Sequence, residues 1–500
     1  MRLLWGPVAC AAAAALGGAC SGDAPTPPPP AGVVVVRADV WASDSALLVG
    51  HTLQLHVTAW DSAGRVVTPT AVTWWTGDTA KVTVDANGLV TARAGGDVDL
   101  WVQTAPLGIR DTLPVHVAVH GELKWRLSLG LMPTEGGAAE GPDGTVYVLT
   151  IDGYPDERGT LYAISPRGAI RWSRPLNEVR NNWPIVGPDG SVYVVGQYVY
   201  AFNPDGSLRW SITDRPADLS TFPQYRCGAL SAGGVLFAAM GHDLFALLAA
   251  TGDTLWIGPR SLNAAWLQPP TVSADQQTVY IGLKGRYLTA FDAASGAERW
   301  RALAADGGIF DTGPAVAQDR LYVPGMNSLQ QVSAAGTIVA TGLTGVTDGP
   351  GVTEPAIGPD GTLYLQARTA RGFADVSTPL WLFGGADRRY PLAPASPALA
   401  EGGVLYAAGQ TGLYALDVSA AGATLHWRYP PGPFESLVFT GAPLIGRDGT
   451  VYSFTTTTAG QDNLPSTDEF FAFWEDHPVE RNSPWPMWRH DARRSGQAGP

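Results

Sequence analysis

Along most of this chain apolar and polar residues alternate in short runs interrupted by Gly, Pro, Asn and Asp. A period of two puts one side of each run on a buried face and the other in water, the pattern of half-buried strands. Leu53-Gln54-Leu55-His56-Val57-Thr58-Ala59 shows it plainly, and Val33 to Val36, Val72 to Trp74, Val82 to Val84 and Val98 to Val102 are further strand candidates. Turn residues separate them at Val49-Gly50, Asp61 to Gly64, Gly77-Asp78, Asp85 to Gly88 and Gly95-Gly96. Residues 33–119 therefore predict one small β-sandwich of about seven strands.

From residue 120 a longer period takes over. Its unit is Asp-Gly-x-Val-Tyr, then a Leu-Tyr-Ala-apolar strand, then a Gly turn and a strand ending in Trp. The first copy is Asp143 to Tyr147, Leu161 to Ile164, Gly168 and Trp172; the second is Asp189 to Tyr193, Val199 to Phe202, Gly206 and Trp210. The aromatic recurs at Phe237, Tyr280, Tyr322, Tyr364, Tyr406 and Tyr452, at spacings of 46, 44, 43, 42, 42, 42 and 46 residues. Four short strands per unit make one sheet, which cannot bury both faces alone and must pack radially on its neighbours. The expected fold class is all-β: an immunoglobulin-like β-sandwich followed by an eight-bladed β-propeller with four-stranded blades over residues 120–484 and a Trp-rich tail over 485–500. In the fifth and sixth copies Val339 and Tyr390 stand where Trp is expected. The eighth copy lacks an outer strand, and Gly121-Glu122-Leu123-Lys124-Trp125 is predicted to supply it and close the ring.

The sandwich segment resembles the bacterial immunoglobulin-like group-2 family, through Val49-Gly50 before its Leu-Gln-Leu strand, Val72-Thr73-Trp74, Val84-Asp85 and Gly88 to Ala92. That resemblance implies a spacer or an adhesive module. The repeats resemble the pyrroloquinoline-quinone-like propeller superfamily, which includes quinoprotein dehydrogenases and the propeller lipoprotein of the outer-membrane β-barrel assembly machinery. Likeness here implies the fold and not an activity. The tail Trp485-Pro486-Met487-Trp488-Arg489-His490-Asp491 with Gly496 is similar to a segment that recurs beside such repeats, and it reads as a packing clasp over the last and first blades.

Composition fits this outline, since 60 Gly and 40 Pro leave little room for helices. A formal charge of −13 without a Lys/Arg cluster argues against a nucleic-acid partner. Arg2, the apolar run Leu3 to Leu16 and the small residues before Cys20 predict a secretory signal over residues 1–19. The junction resembles a bacterial lipobox, which implies a lipid on Cys20, a membrane anchor and, with Ser21 following, an outer membrane lipoprotein. Residues 20–32 hold Pro27 to Pro30 and predict a semi-rigid, extended linker.

Catalytic signatures are sparse. Cys227 is the one cysteine beyond Cys20, so the vicinal disulfide typical of quinoprotein dehydrogenases cannot form. The sequence has no Gly-x-Ser-x-Gly elbow, Gly-Lys phosphate loop or His-Glu-x-x-His helix. Its eight histidines are scattered, with His116 and His120 about 13 Å apart along a strand, too far to share a metal. The repeated Asp-Gly pairs lack the acidic positions of a calcium loop and read as turns. No cofactor and no metal are expected. Segments entering each innermost strand hold Asn182, Trp183, Tyr225, Arg226, Trp266, Phe310, Asp311, Glu354 and Phe439, an aromatic and charged set that reads as a candidate binding face. The chain thus reads as a non-catalytic binding or scaffold lipoprotein of the cell envelope with a protein or polysaccharide partner. A quinone-dependent oxidoreductase and a cell-surface adhesin are the alternatives.

Overall fold

The computed structural model describes residues 34–500 except 106, 131–136, 152–157, 178, 180–182, 197, 214–226, 241–242, 259–267, 284–286, 304–312, 325–327, 344–352, 367–368, 384–394, 431–437, 456–467, 488, 492, 496 and 499–500. Every regular element among the described residues is a strand, and no helix there is long and apolar enough to cross a membrane. The chain divides into two units, Met1–His116 and Val117–Pro500.

The first unit is a sandwich. One sheet orders Arg37–Ala42, Thr52–Trp60, Leu89–Ala92 and Val82–Val84, with Val66–Val67 on the edge of Thr52–Trp60. The other orders Ala46–Leu48, Ile109–Ala118, Gly96–Ala105 and Ala71–Thr76. Alternation does the work expected of it: Leu53 and Leu55 from the first sheet and Val98, Leu100 and Val102 from the second are buried, while Thr52, Gln54, His56, Asp97 and Asp99 face solvent. The opening strand lies later than the Val33 to Val36 reading, at Arg37–Ala42; Val35 is buried but Val34 and Val36 are exposed. An apolar run alone does not fix which residues join the ladder.

The second unit holds eight four-stranded antiparallel sheets among the described residues, one per repeat. In seven of them, the repeated aromatic sits on the second strand, opposite a small residue of the third, which in turn lies opposite Trp on the fourth. Tyr147, Ala163 and Trp172 make such a row, as do Tyr193, Ala201 and Trp210. With only a methyl between them the two rings meet over the middle strand, at 5.7 Å for Tyr147 with Trp172 and 5.9 Å for Tyr280 with Trp300. The fifth sheet departs from the pattern: Gln331 and Ala340 take the Ala and Trp places, and Gln331 Nε2 donates to the Tyr322 hydroxyl at 3.3 Å. Val339, beside Ala340, is 54% exposed, so it does not substitute for Trp. In the sixth sheet the outer strand is Thr378–Phe383, where Trp381 occupies the Trp place opposite Gly372. Tyr390 lies outside the described residues, and the expected assignment to it is replaced by Trp381.

Five of these side chains, Trp125, Trp172, Trp210, Trp256 and Trp300, also fasten their sheet to the next. Trp172 Nε1 donates to Pro204 O at 2.9 Å, Trp210 to Ala249 O at 2.9 Å and Trp256 to Ala293 O at 3.0 Å. These acceptors lie in the turn before the neighbour's outer strand, and the positive-φ glycine of that turn lies on the Trp ring, as Gly206 does on Trp172 and Gly252 on Trp210. Glycine is required twice over, for its left-handed backbone and for the missing Cβ. The Asp-Gly pairs are turns: Asp189 accepts Ser191 N at 3.0 Å and Ser191 Oγ at 2.7 Å, with Gly190 at φ 81°.

The ring closes with the earliest strand of the second unit. Leu123–Ser128 pairs antiparallel with Glu469–Phe473, with Trp125 opposite Ala472. The staple then runs unbroken across the junction. Trp125 of the eighth sheet donates to Pro166 O of the first at 2.9 Å and covers Gly168, while Trp427 of the seventh covers Gly121.

Candidate functional site

Of the candidate residues, Cys20, Asn182, Tyr225, Arg226, Trp266, Phe310 and Asp311 lie outside the described residues. The other three turn inward. Trp183 packs with Ile185 and Val195 in the core of the second and third sheets. Phe439 is fully buried, its ring centroid 5.3 Å from that of Phe471. Glu354 is fully buried as well and belongs to the anchorage of the tail. Their side chains therefore serve the interior, and surface exposure is not what their place at the strand entrances gives them.

The tail reaches further than a clasp over the last and first sheets. Its backbone carbonyls accept from first strands around the ring: Trp485 O from Ile357 N at 2.7 Å, Pro486 O from Leu399 N at 2.8 Å, Arg493 O from Val186 N at 2.9 Å and Ser495 O from Leu230 N at 2.8 Å, while Ala498 N donates to Val272 O at 2.8 Å. First strands of successive sheets lie against one another, so a segment bonded to five of them crosses their common axis. Two arginines fill that axis. Arg494 Nε donates to Ala138 O at 3.0 Å and its Nη2 to Pro443 O at 3.1 Å; Arg489 donates to Pro270 O and to Thr271 Oγ1. Both are fully buried. Glu354 Oε1 accepts from Trp485 Nε1 at 2.7 Å and Arg489 N at 2.8 Å. Burial pushes its carboxyl above the ordinary range, against the pull of the Arg489 charge and these donors. Arg489, His490 and Arg494 adopt positive φ, a conformation costing about 1–3 kcal/mol per residue that persists only where surroundings enforce it.

Between the first and last sheets a cleft of ≈ 330 Å³ is lined by Glu140, Pro142, Gly144, Pro166, Arg447 and Asp448. Glu140 Oε2 accepts Arg447 N at 2.8 Å. Burial pushes this carboxyl up to about 7; the Asp448 and Asp143 charges add to the rise, and Arg447 opposes it. Below the ordinary carboxylate range Glu140 is protonated folded or unfolded. Between about pH 4.5 and 7 only the unfolded chain releases the proton freely, so this group's contribution to stability falls as pH rises, by about 3 kcal/mol in all. E140Q removes that slope. Its stability relative to the native chain should be about 2 kcal/mol more favourable at pH 8 than at pH 5, measured by urea unfolding; an equal difference at both pH values would refute the assignment.

A third grouping has no counterpart in the sequence reading. Before the closing strand, His120 Nδ1 lies 3.2 Å from Glu475 Oε2 and 3.7 Å from Asp476 Oδ1; His477 Nδ1 lies 2.8 and 3.7 Å from the same two atoms. The Glu475 side chain is fully buried, and its Oε1 accepts Trp427 Nε1 at 2.5 Å. His426 flanks the group with ring centroids 6.3 Å from His120 and 6.1 Å from His477, and its own Nδ1 faces Asp417 Oδ2 at 3.2 Å. Histidines that are scattered along the sequence thus meet in space, because ring closure brings together residues 355 positions apart. No local spacing could have revealed it.

Residues 115–265 and 250–345 match the family profile described as outer membrane protein assembly factor BamB, and residues 35–102 match that of the bacterial Ig-like domain, group 2. No curated protein sequence matches the chain. Among solved structures, the C-terminal WD40 domain of Sif2 is similar at 10% identity with a TM-score of 0.50, over 71% of this chain and 98% of that one. BamB from Moraxella catarrhalis is similar at 15% identity, covering 70% and 98% of the two chains with a TM-score of 0.46. The computationally designed Ika8 protein is similar at 12% identity over 69% and 98%, with a TM-score of 0.48. The WD40 likeness speaks to the fold alone. Profiles and sheet order thus agree where they overlap: residues 35–102 carry a bacterial group-2 immunoglobulin-like domain, residues 115–345 carry PQQ-like repeats similar to those of the assembly factor BamB, and the four-stranded sheets continue in the same order beyond them.

Proposed function

We propose that the protein is an envelope scaffold, tethered to the outer membrane through a lipid on Cys20, whose propeller binds a protein partner. The observation that carries this reading is the filled axis. Arg489 and Arg494 are fully buried there and donate to backbone carbonyls of several sheets, so recognition is assigned to the connecting segments. Asn182, Tyr225, Arg226, Trp266, Phe310 and Asp311 lie in connections between one sheet's outer strand and the next sheet's first strand. Aromatic and Arg anchors of this kind dominate protein recognition. The match to an outer membrane assembly factor supports the same class of partner, and the Pro-rich segment with the immunoglobulin-like domain suits a stalk.

The test places a photocrosslinking amino acid at Trp266 or Phe310 in cells of the source organism, with Asp360, in an Asp-Gly turn, as control. Capture of one protein from the first two positions and not from the third is expected; uniform capture, or capture of polysaccharide, overturns the reading. Retention of pyrroloquinoline quinone and calcium after desalting, with alcohol- or sugar-dependent dye reduction, would replace it by the oxidoreductase. A C20S variant should move from the membrane to the soluble envelope fraction.

A further inference from the structure

The histidine–carboxylate group belongs neither to the axis nor to the proposed partner face. We propose that His120, Glu475, Asp476 and His477 bind one divalent transition-metal ion of the zinc class, which fastens the closing strand to the last sheet.

Geometry comes first. With metal–nitrogen and metal–oxygen bonds near 2.0–2.2 Å, the donor atoms of a tetrahedral site stand about 3.3–3.6 Å apart. The His120 and His477 Nδ1 atoms stand 3.2 and 2.8 Å from Glu475 Oε2 and 3.7 Å each from Asp476 Oδ1, so the four distances straddle that edge. All the donor atoms lie within 4.8 Å of one another. Small side-chain shifts therefore suffice to admit an ion.

The donor chemistry selects the ion. Two imidazoles and two carboxylates form a borderline nitrogen–oxygen set, suited to zinc and its neighbours and poor in the oxygens that calcium or magnesium demands. Two carboxylates neutralise a dication. Glu475 is also oriented as metal ligands commonly are: the Trp427 indole holds Oε1, leaving Oε2 aimed at both imidazoles. His426, turned to Asp417, stays outside the set. Binding would join residue 120, at the entry to the closing strand, to residues 475–477 just past the strand it pairs with, and would stabilise the folded ring alone.

The experiment uses the purified, chelator-treated protein, its fold checked by circular dichroism. Zinc should bind with one-to-one stoichiometry by calorimetry and raise the thermal midpoint by at least about 3 °C at a hundredfold excess over Kd. Cobalt(II) in the same site should give the intense visible bands of tetrahedral coordination. H477A, and separately D476N, should weaken zinc binding at least about tenfold, whereas H426A should retain it. The proposal is overturned if the folded protein takes up no zinc, if binding survives in the H120A/H477A double variant, or if H426A abolishes it. The cluster would then be an imidazole–carboxylate ion-pair network.

Discussion

A G121A variant is expected to lose about 3 kcal/mol of stability, well beyond the cost of the same change in an open turn. Gly121 has φ 77°, and an alanine Cβ there would stand 2.5 Å from the Trp427 ring. The left-handed backbone costs a non-glycine residue about 1–2 kcal/mol, and forcing a methyl into a packed contact adds about 1–3 kcal/mol. Gly361 separates the two effects, since its φ is 84° but nothing lies within 4 Å of a new Cβ. G361A should therefore show the backbone cost alone. Urea unfolding followed by tryptophan fluorescence reads both, and equal midpoints would mean that the Trp427–Gly121 contact does not hold the seventh sheet to the closing strand.

The second large effect concerns the axis. E354A removes the acceptor for Trp485 Nε1 and Arg489 N, and it takes away a carboxyl that interacts electrostatically with Arg489 and Arg494. Breaking such a buried charge arrangement from one side costs about 3–5 kcal/mol. E354Q keeps an oxygen in place and should cost markedly less. Because Arg489 and Arg494 are fully buried, trypsin should leave them intact in the native protein and release the tail rapidly from E354A, as read by mass spectrometry. A tail equally resistant in both proteins would show that Glu354 does not anchor it.

These two sites also show how far the sequence could be read. The Tyr–Ala–Trp rows were legible because each member belongs to a short segment with its own turn: Asp189-Gly190 fixes one hairpin and Gly206 the next, so spacing alone places Tyr193, Ala201 and Trp210. The closing strand was legible for the same reason, as a Gly-x-x-x-Trp unit without a sheet. Trp381 escaped although it follows Tyr364 at the same spacing as Trp210 follows Tyr193, because the strand between them reads Ala370-Arg371-Gly372-Phe373 and lacks the Leu-Tyr-Ala signature that marks the row elsewhere. Trp183, Glu354 and Phe439 looked like surface residues because connections are usually polar and exposed; only the assembled ring shows that their side chains point into it. The tail's aromatic and methionine residues announced packing, yet bonds to one residue at a time on first strands carry no periodic signal. Least legible was the group at Glu475, whose members meet only after the ring has joined.

Pairing Leu123–Ser128 with Glu469–Phe473 has a consequence for biogenesis. Synthesis runs from the amino end, so the strand that completes the final sheet emerges among the first and must wait, unpartnered, while more than three hundred residues follow. Its apolar edge is a hazard throughout that interval. Completion of the last sheet is therefore timed by release of the carboxyl end.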